Sequence, residues 1–445
     1  MKKWFLLVVL LGLMLFVVAC SDDSSSSDSD GNAGNNSDGE TNTDNGGSGD
    51  SDSGGDPVEL DFWVFGNAGY DVLAEEYKKD NPNVTININE GEMADQHNNL
   101  FTSISGGSGA PDIAMVEVSE IAKFMEASDQ FYNLNDYGAA DVGGNFLEWK
   151  WQQAQSVDGS FQIGLPTDIG PTTMFYRTDV MEEAGLPTDR DELAAELDTW
   201  DAYYEAAKTI KDATDKPIAD APKLVFNALR DQEEQQYFDE EGNLIIDNVK
   251  EAYDYTTKMI GEGLIGQNSL WTPEWGSAMA DGSYATMPGA PGWMVGNVKG
   301  NAPDASGLWD IASIPEGAGN WGGSFLTVPA ESEHPQEAYD FIAWLTAPEQ
   351  QLKAFHEKGL FPSAPDVYEN EEFLATTDEY FNGAPTAAIF AEAAKSVTPV
   401  YMGVNYSIVD TELDTAITNV AVEGADPQDE WDAAVERIET QLERQ

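Results

Sequence analysis

Three tryptophans stand within twenty-three residues in the stretch "WTPEWGSAMADGSYATMPGAPGW", at positions 271, 275 and 293. Large indoles set among Gly, Pro, Ala and Ser serve one of two ends: they fill a core, or they hold a flat apolar face open for a ring to stack on. The groups that covalent chemistry needs are scarce around them. Cys20 is the single cysteine, and the three histidines, His97, His334 and His356, have no ligand spacing, which removes a disulfide and leaves no zinc pattern. No run of the GxSxG, HExxH or GxxxxGK[ST] type is present. A glycoside hydrolase needs two carboxylates beside the scissile bond, and 81 acidic residues supply such a pair anywhere, so their number decides nothing. No catalytic residue, cofactor or metal is expected.

The chain opens "MKKWFLLVVLLGLMLFVVAC". Two lysines, a short apolar run and small residues before Cys20 read as a secretory signal over residues 1–20 rather than a spanning helix. The residues "VVAC" resemble the lipobox of bacterial lipoproteins, which implies lipidation of Cys20 and a lipid anchor in the cell membrane. Residues 21–56 are mostly Ser, Asp, Gly and Asn, with no aliphatic beyond Ala33, no aromatic and no positive charge. Such a segment buries too little apolar surface to offset its ordering entropy, and reads as a disordered acidic tether.

From Pro57 onward 389 residues remain, more than one core usually serves, so two lobes are expected. The formal net charge is −60; without the ten acids of the tether and the two lysines of the signal, 71 acids face 19 bases. So acidic a body repels polyanions, which argues against nucleic acid as a partner. Molar salt shortens the Debye length to about 3 Å and relieves the self-repulsion, so a salty, halophilic setting is expected.

The body alternates strand and helix. "VELDFWVFG" reads as a buried strand ending in a turn, "YDVLAEEYKKDNP" as a helix with Val72, Leu73 and Tyr77 on one face, and "VTININE" as the next strand. Strand, helix, strand at this spacing predicts a parallel crossover in an α/β lobe. "APDIAMVEV" predicts a strand and "SEIAKFMEA" a helix capped by Ser119; "TWDAYYEAAKTIK" predicts a helix capped by Thr199. "HPQEAYDFIAWLTAPEQQLKAFHEKG" predicts a helical pair divided at Pro348. In "LEWKWQQAQ" Trp149 and Trp151 cannot share one helix face. No fixed-period repeat is present, which argues against an adhesin, and no later stretch is long and apolar enough to span a membrane.

The ordered set "LDFWVFG", "YDVLAEEYKKDNPNVTI", "GAPDIAMVEVSEIAKF", "GLPTDIGPTTMFYRTDVMEEAGLP", "MADGSYATMPGAPGW", "NWGGSFLTVP" and "HPQEAYDFIAWLTAPEQQ" resembles the extracellular solute-binding proteins of sugar ABC importers, the group containing maltose-binding protein. The resemblance runs from about Pro57 to the C-terminus. It implies a two-lobed, type II periplasmic-binding-protein-like α/β fold, each lobe a mixed sheet flanked by helices, with ligand in the cleft between them. Carried over, the chain crosses between lobes near "PTDIGP", near "WGGSF" and somewhere in 376–388. Residues 57–167 with 325–380 would form one lobe, and 168–324 with 381–445 the other.

The same resemblance implies that Phe65 and Asn67 face the cleft, and makes Glu117, Ser119 and Glu120 candidates for binding hydroxyls. Asp168, in the first crossing, reads either as a ligand-binding carboxylate or as a turn residue capping local amides. Trp293 matches the family's stacking tryptophan, with Trp275 as a second wall and Trp271 as packing. Trp321, before two glycines, would line the cleft floor, and Tyr401 and Tyr406 would add aromatics. The expectation is a monomeric carbohydrate-binding lipoprotein that hands a neutral mono- or oligosaccharide, such as an arabino-, xylo- or cello-oligosaccharide, to ABC permease subunits. A binder of another solute in the same fold, or a secreted glycoside hydrolase, stands as the alternative.

Overall fold

The structure is a computed structural model that describes residues 56–444 apart from Asn67 and Glu240. The signal, Cys20 and the tether through Gly55 lie outside the described residues, as does Asn67.

Strand β1 (Val58–Phe65) buries alternate residues, Val58, Leu60, Phe62 and Val64, as the two-residue period of a strand requires. The helix Tyr70–Asp80 covers that face with Tyr70, Leu73, Ala74 and Tyr77, spaced i, i+3, i+4 and i+7. Val72 lies off this stripe and is exposed, contrary to its expected place beside Leu73. Strand β2 (Val84–Gly91) then returns parallel to β1, Val58 opposite Val84 through Phe65 opposite Gly91. Strand β3 (Ile113–Glu117) pairs parallel to β1 on its other side.

A run of short strands comes next: β4 (Gly164–Pro166), β5 (Asp168–Ile169) and β6 (Thr172–Arg177). Strands β7 (Thr286–Pro291), β8 (Trp309–Ala312), β9 (Ser324–Thr327) and β10 (Phe361–Pro362) come later. They assemble into a five-stranded sheet ordered β2-β1-β3-β9-β4 and a three-stranded sheet ordered β7-β6-β8, with β10 and β5 paired separately. The first sheet is mixed, since β9 runs antiparallel to both β3 and β4. The fold is the two-lobed α/β arrangement, one sheet to each lobe.

Each sheet is packed on both faces. Phe62, Leu165, Leu326, Phe341 and Leu345 share one core with the helix Tyr70–Asp80, while Phe124, Phe131, Val116 and Phe325 pack on the reverse of the same sheet. Phe175, Trp275, Met287, Trp309 and Phe390 form the core of one face of the three-stranded sheet, and Met174, Tyr176 and Tyr203 that of the other.

The passages between the lobes are tight. At Gly170 an added Cβ would stand 1.8 Å from the Trp321 carbonyl oxygen, and at Gly323, whose φ is +97°, 2.5 Å from that of Asp168. Backbone lies directly on backbone there, which only glycine permits. The helix Pro348–Lys358 straddles both cores: Leu352 and Phe355 pack with the three-stranded sheet, and Ala354, like Leu360 beyond the helix, with the five-stranded sheet. Phe361, Phe373 and Phe381 bury themselves with Phe175 and Phe390 on the side of the three-stranded sheet.

The helix Glu148–Gln153 resolves the pairing of Trp149 and Trp151. Trp149 packs against the core of the three-stranded sheet and Trp151 against that of the five-stranded sheet, where it stacks on Phe146 at 5.7 Å between centroids.

Candidate ligand-binding cleft

The parallel strands β1 and β3 end at Phe65 and Glu117, and both residues line a cavity of about 1440 Å³. Ligands in α/β sheets collect at these carboxyl ends because the side chains and backbone there are free of the ladder. Val118 starts the next helix, and the residue that caps it is Glu117, not Ser119 as expected: its carboxylate accepts the backbone N–H of Ser119 at 2.7 Å, and the Ser119 hydroxyl as well. The cap turns Glu117 toward the cavity, and Ser119 lines it beside Glu117. Behind, His97 accepts the Glu117 backbone N–H on Nε2 at 3.1 Å, and burial pushes its pKa down to about 4, so the ring is neutral.

Asp168 also lines the cavity and is only 4% exposed. Its Oδ1 accepts the Thr167 hydroxyl at 2.6 Å and the Ser324 N–H at 3.1 Å. Both readings of Asp168 therefore meet in one side chain: one oxygen caps local groups, and Oδ2 accepts nothing from the described residues. The ammonium of Lys150 stands behind both carboxylates, fully buried, 4.0 Å above the Phe325 ring and without a hydrogen-bond partner among the described residues. Burial lowers its pKa to about 8, against the pull of Asp168 and Glu117. Burial likewise raises the pKa of both carboxyls while Lys150 opposes the rise.

On the other wall, strand β7 carries a bulge: Thr173 faces Ala290 and Met174 faces Pro288, leaving Gly289 as the extra residue, at φ +77°. A bulge bends its strand and re-aims the residues beyond it. Here those residues include Gly292 and Trp293, which line the cavity with Trp321 and Trp271. The indole N–H of Trp293 donates to the Trp321 carbonyl at 3.2 Å, and the two rings meet edge to face at 5.2 Å. Trp271 stacks on Trp293 at 5.8 Å and 29°.

Trp275 does not face the cleft. It sits one turn into the helix Pro273–Asp281, on the face shared with Ala278 and Met279, and is 1% exposed. Trp271 precedes the cap residue Thr272 and so escapes that face; it is 57% exposed. The expected roles of these two residues are exchanged.

Glu120 stands apart from the lining, its carboxylate taken by Ser407 at 2.8 Å and Lys123 at 3.2 Å. Tyr401 is exposed and does not line the cavity, whereas Tyr406 does, buried, with its hydroxyl donating to Gln236 at 3.1 Å. Sequence reasoning missed Asn227, a lining residue 3% exposed with an unpartnered Oδ1. An Asn inside the apolar run of "PKLVFNALR" was the available signal.

The cations on the wall are largely neutralised. Arg230 pairs with Asp231 and Asp410, Lys223 with Asp410 and Asp414, and Lys299 with Asp378. Lys358 alone among these lining lysines and arginines has no ion pair to the described residues. The arrangement offers aromatic faces, carboxylate and amide acceptors, and little net positive field, which suits a neutral, hydroxylated ligand. Among the described residues no cluster of three or more His, Cys, Asp or Glu is placed to hold a metal.

Residues 72–381 match the family described as bacterial extracellular solute-binding protein. The chain belongs to that family. As a solute-binding protein it is a binding chain rather than an enzyme, and no helix among its described residues is long and apolar enough to cross a membrane. It is 28% identical over 413 residues to an arabinooligosaccharide-binding protein of Halalkalibacterium halodurans, covering 87% of this chain and 90% of that one. It is 29% identical over 364 residues to a lactose-binding protein of Rhizobium radiobacter, covering 78% and 82%. A crystal structure of an extracellular solute-binding protein of family 1 superposes with a TM-score of 0.81 at 36% identity, covering 86% of this chain and 99% of that one.

Proposed function

We propose that this solute-binding protein captures a neutral oligosaccharide in the cleft and delivers it to the permease subunits of an ABC importer. The observation that carries the reading is the joining, in one cavity, of the Trp293 and Trp321 indoles with the carboxylates of Glu117 and Asp168. Indoles match the C–H faces of sugar rings, and carboxylates accept their hydroxyls. A cavity near 1440 Å³ exceeds the usual range for a small ligand, about 300–1000 Å³, and favours more than one sugar unit. The names of the relatives, arabinooligosaccharide-binding and lactose-binding, point to the same class.

In this reading Asp168, Glu117, Ser119 and Asn227 bind hydroxyls, Phe65 and Tyr406 shape the pocket, and the lobes close by rotation about the three passages. Lobe one comprises 57–167 with 325–360, and lobe two 168–324 with 361–445, the helix Pro348–Lys358 lying against both. Lipidation of Cys20 anchors the monomer, and the acidic surface suits a salty medium.

A thermal-shift screen in molar salt against arabinotriose, lactose, galactobiose, xylotriose and cellotriose tests the reading. A ligand at 100 times its Kd adds about 2.7 kcal/mol to stability. A shift with an amino acid or anion and none with any carbohydrate would overturn it.

A further inference from the structure

Trp271 and Trp293 lie nearly parallel with centroids 5.8 Å apart. A sugar ring held between them needs carbon contacts of about 3.5–4.0 Å on each side, hence roughly 7–8 Å between the indoles. No ring fits between them as they stand. The remainder of Trp293 is committed: it packs against the core of the three-stranded sheet, and its N–H is tied to the Trp321 carbonyl. The face of Trp293 that a ligand would use is thus the face Trp271 occupies.

The two residues are held very differently. Trp271 is 57% exposed, and its side chain makes no hydrogen bond to the described residues. Its ring meets those of Trp293, of Trp275 edge-on at 5.2 Å and of Trp321 at 6.3 Å. Its backbone sits at φ +67°, a left-handed conformation that a bulky residue adopts rarely and at a cost in energy. Departure of the Trp271 side chain breaks aromatic contacts, whereas departure of Trp293 disrupts a core.

We propose that Trp271 is a displaceable cover over the Trp293 platform, and that its own stacking equilibrium sets access to the site. The proposal rests on the carbohydrate reading above. Only the uncovered fraction binds, so the apparent affinity is reduced by that fraction. A stacking interaction of ordinary strength corresponds to a reduction of about 2- to 13-fold. The cover also selects: a ligand must offer a face that replaces indole on Trp293, which a planar-faced sugar ring does and a small ion does not.

Stopped-flow binding of arabinotriose and lactose to the full chain, wild type against Trp271→Gly, Trp271→Phe and Trp293→Ala, tests this. Glycine accepts φ +67° freely, so Trp271→Gly removes cover and strain together. Expected in Trp271→Gly are association and affinity both about 2- to 13-fold higher than in wild type, with intermediate values in Trp271→Phe and affinity lost in Trp293→Ala. If Trp271→Gly loses affinity as Trp293→Ala does, with its association rate unchanged, Trp271 is a second platform and the proposal is wrong. If neither rate nor affinity changes, Trp271 is passive and the proposal is equally wrong. Failure of the wild type to bind any carbohydrate would overturn the carbohydrate reading itself, and this inference with it.

Discussion

The Asp168 carboxylate accepts the Ser324 backbone N–H at 3.1 Å across 156 positions of sequence, joining the first passage between the lobes to the second. The same carboxylate faces the cavity and supplies one of the two countercharges of buried Lys150. One side chain therefore ties two distant backbone segments together and lines the cavity.

Replacing Asp168 should for that reason damage both stability and binding. Asp168→Ala takes from buried Lys150 one of the two carboxylates whose field favours its charge, and leaving a buried polar group less compensated costs about 1–3 kcal/mol, more for a charged one. Lys150→Met in the same chain removes the stranded ammonium and should recover a good part of that loss without restoring sugar binding. Urea unfolding and titration of the two single variants and the double variant measure the coupling; simple additivity in stability would show that the two groups do not interact.

His97 fixes a pH dependence. Its folded pKa, near 4, lies below the unfolded value of about 6.5, so between these pH values the unfolded chain binds the proton and the folded chain does not. Stability then rises with pH through this window and falls on acidification. His97→Gln, which keeps an acceptor for the Glu117 N–H, should lose less stability than wild type between pH 6.5 and 4. Parallel slopes for the two proteins in denaturant titrations across that range would contradict the assignment.

Trp275 and Trp293 should separate cleanly. Trp275→Ala opens a cavity in the core and should cost about 3–5 kcal/mol with sugar affinity in the surviving folded protein little changed. Trp293→Ala should do the reverse, weakening binding by tenfold or more with a smaller loss of melting temperature. Thermal melts and calorimetric titration on both variants decide it; matching profiles would return Trp293 to a packing role.

The elements were legible in sequence because period and punctuation agreed. The alternation of Val58, Leu60, Phe62 and Val64, the Thr199 cap, whose hydroxyl accepts the Ala202 N–H at 3.2 Å, and the prolines at the helix starts Pro335 and Pro348 all act locally. Trp293 and Trp321 were legible through the glycines beside them. Trp271 and Trp275 were exchanged because the starting residue of a short helix decides which of two nearby indoles turns inward, and one residue of error reverses the answer. The core that Phe361, Phe373 and Phe381 join was not legible, because they carry equal apolar signal for either one. Lys150 gave no signal, since its countercharges, Glu117 and Asp168, are remote in sequence.

The short helix Glu148–Gln153 sends one indole to each core and buries the Lys150 ammonium in the field of Glu117 and Asp168. Neither half of this protein owns that helix. A chimaera that exchanges one half with a relative's, or a truncation meant to isolate it, strands either Trp149 or Trp151 in water and Lys150 away from Asp168 or Glu117. Each half thus depends on the other for part of its own packing.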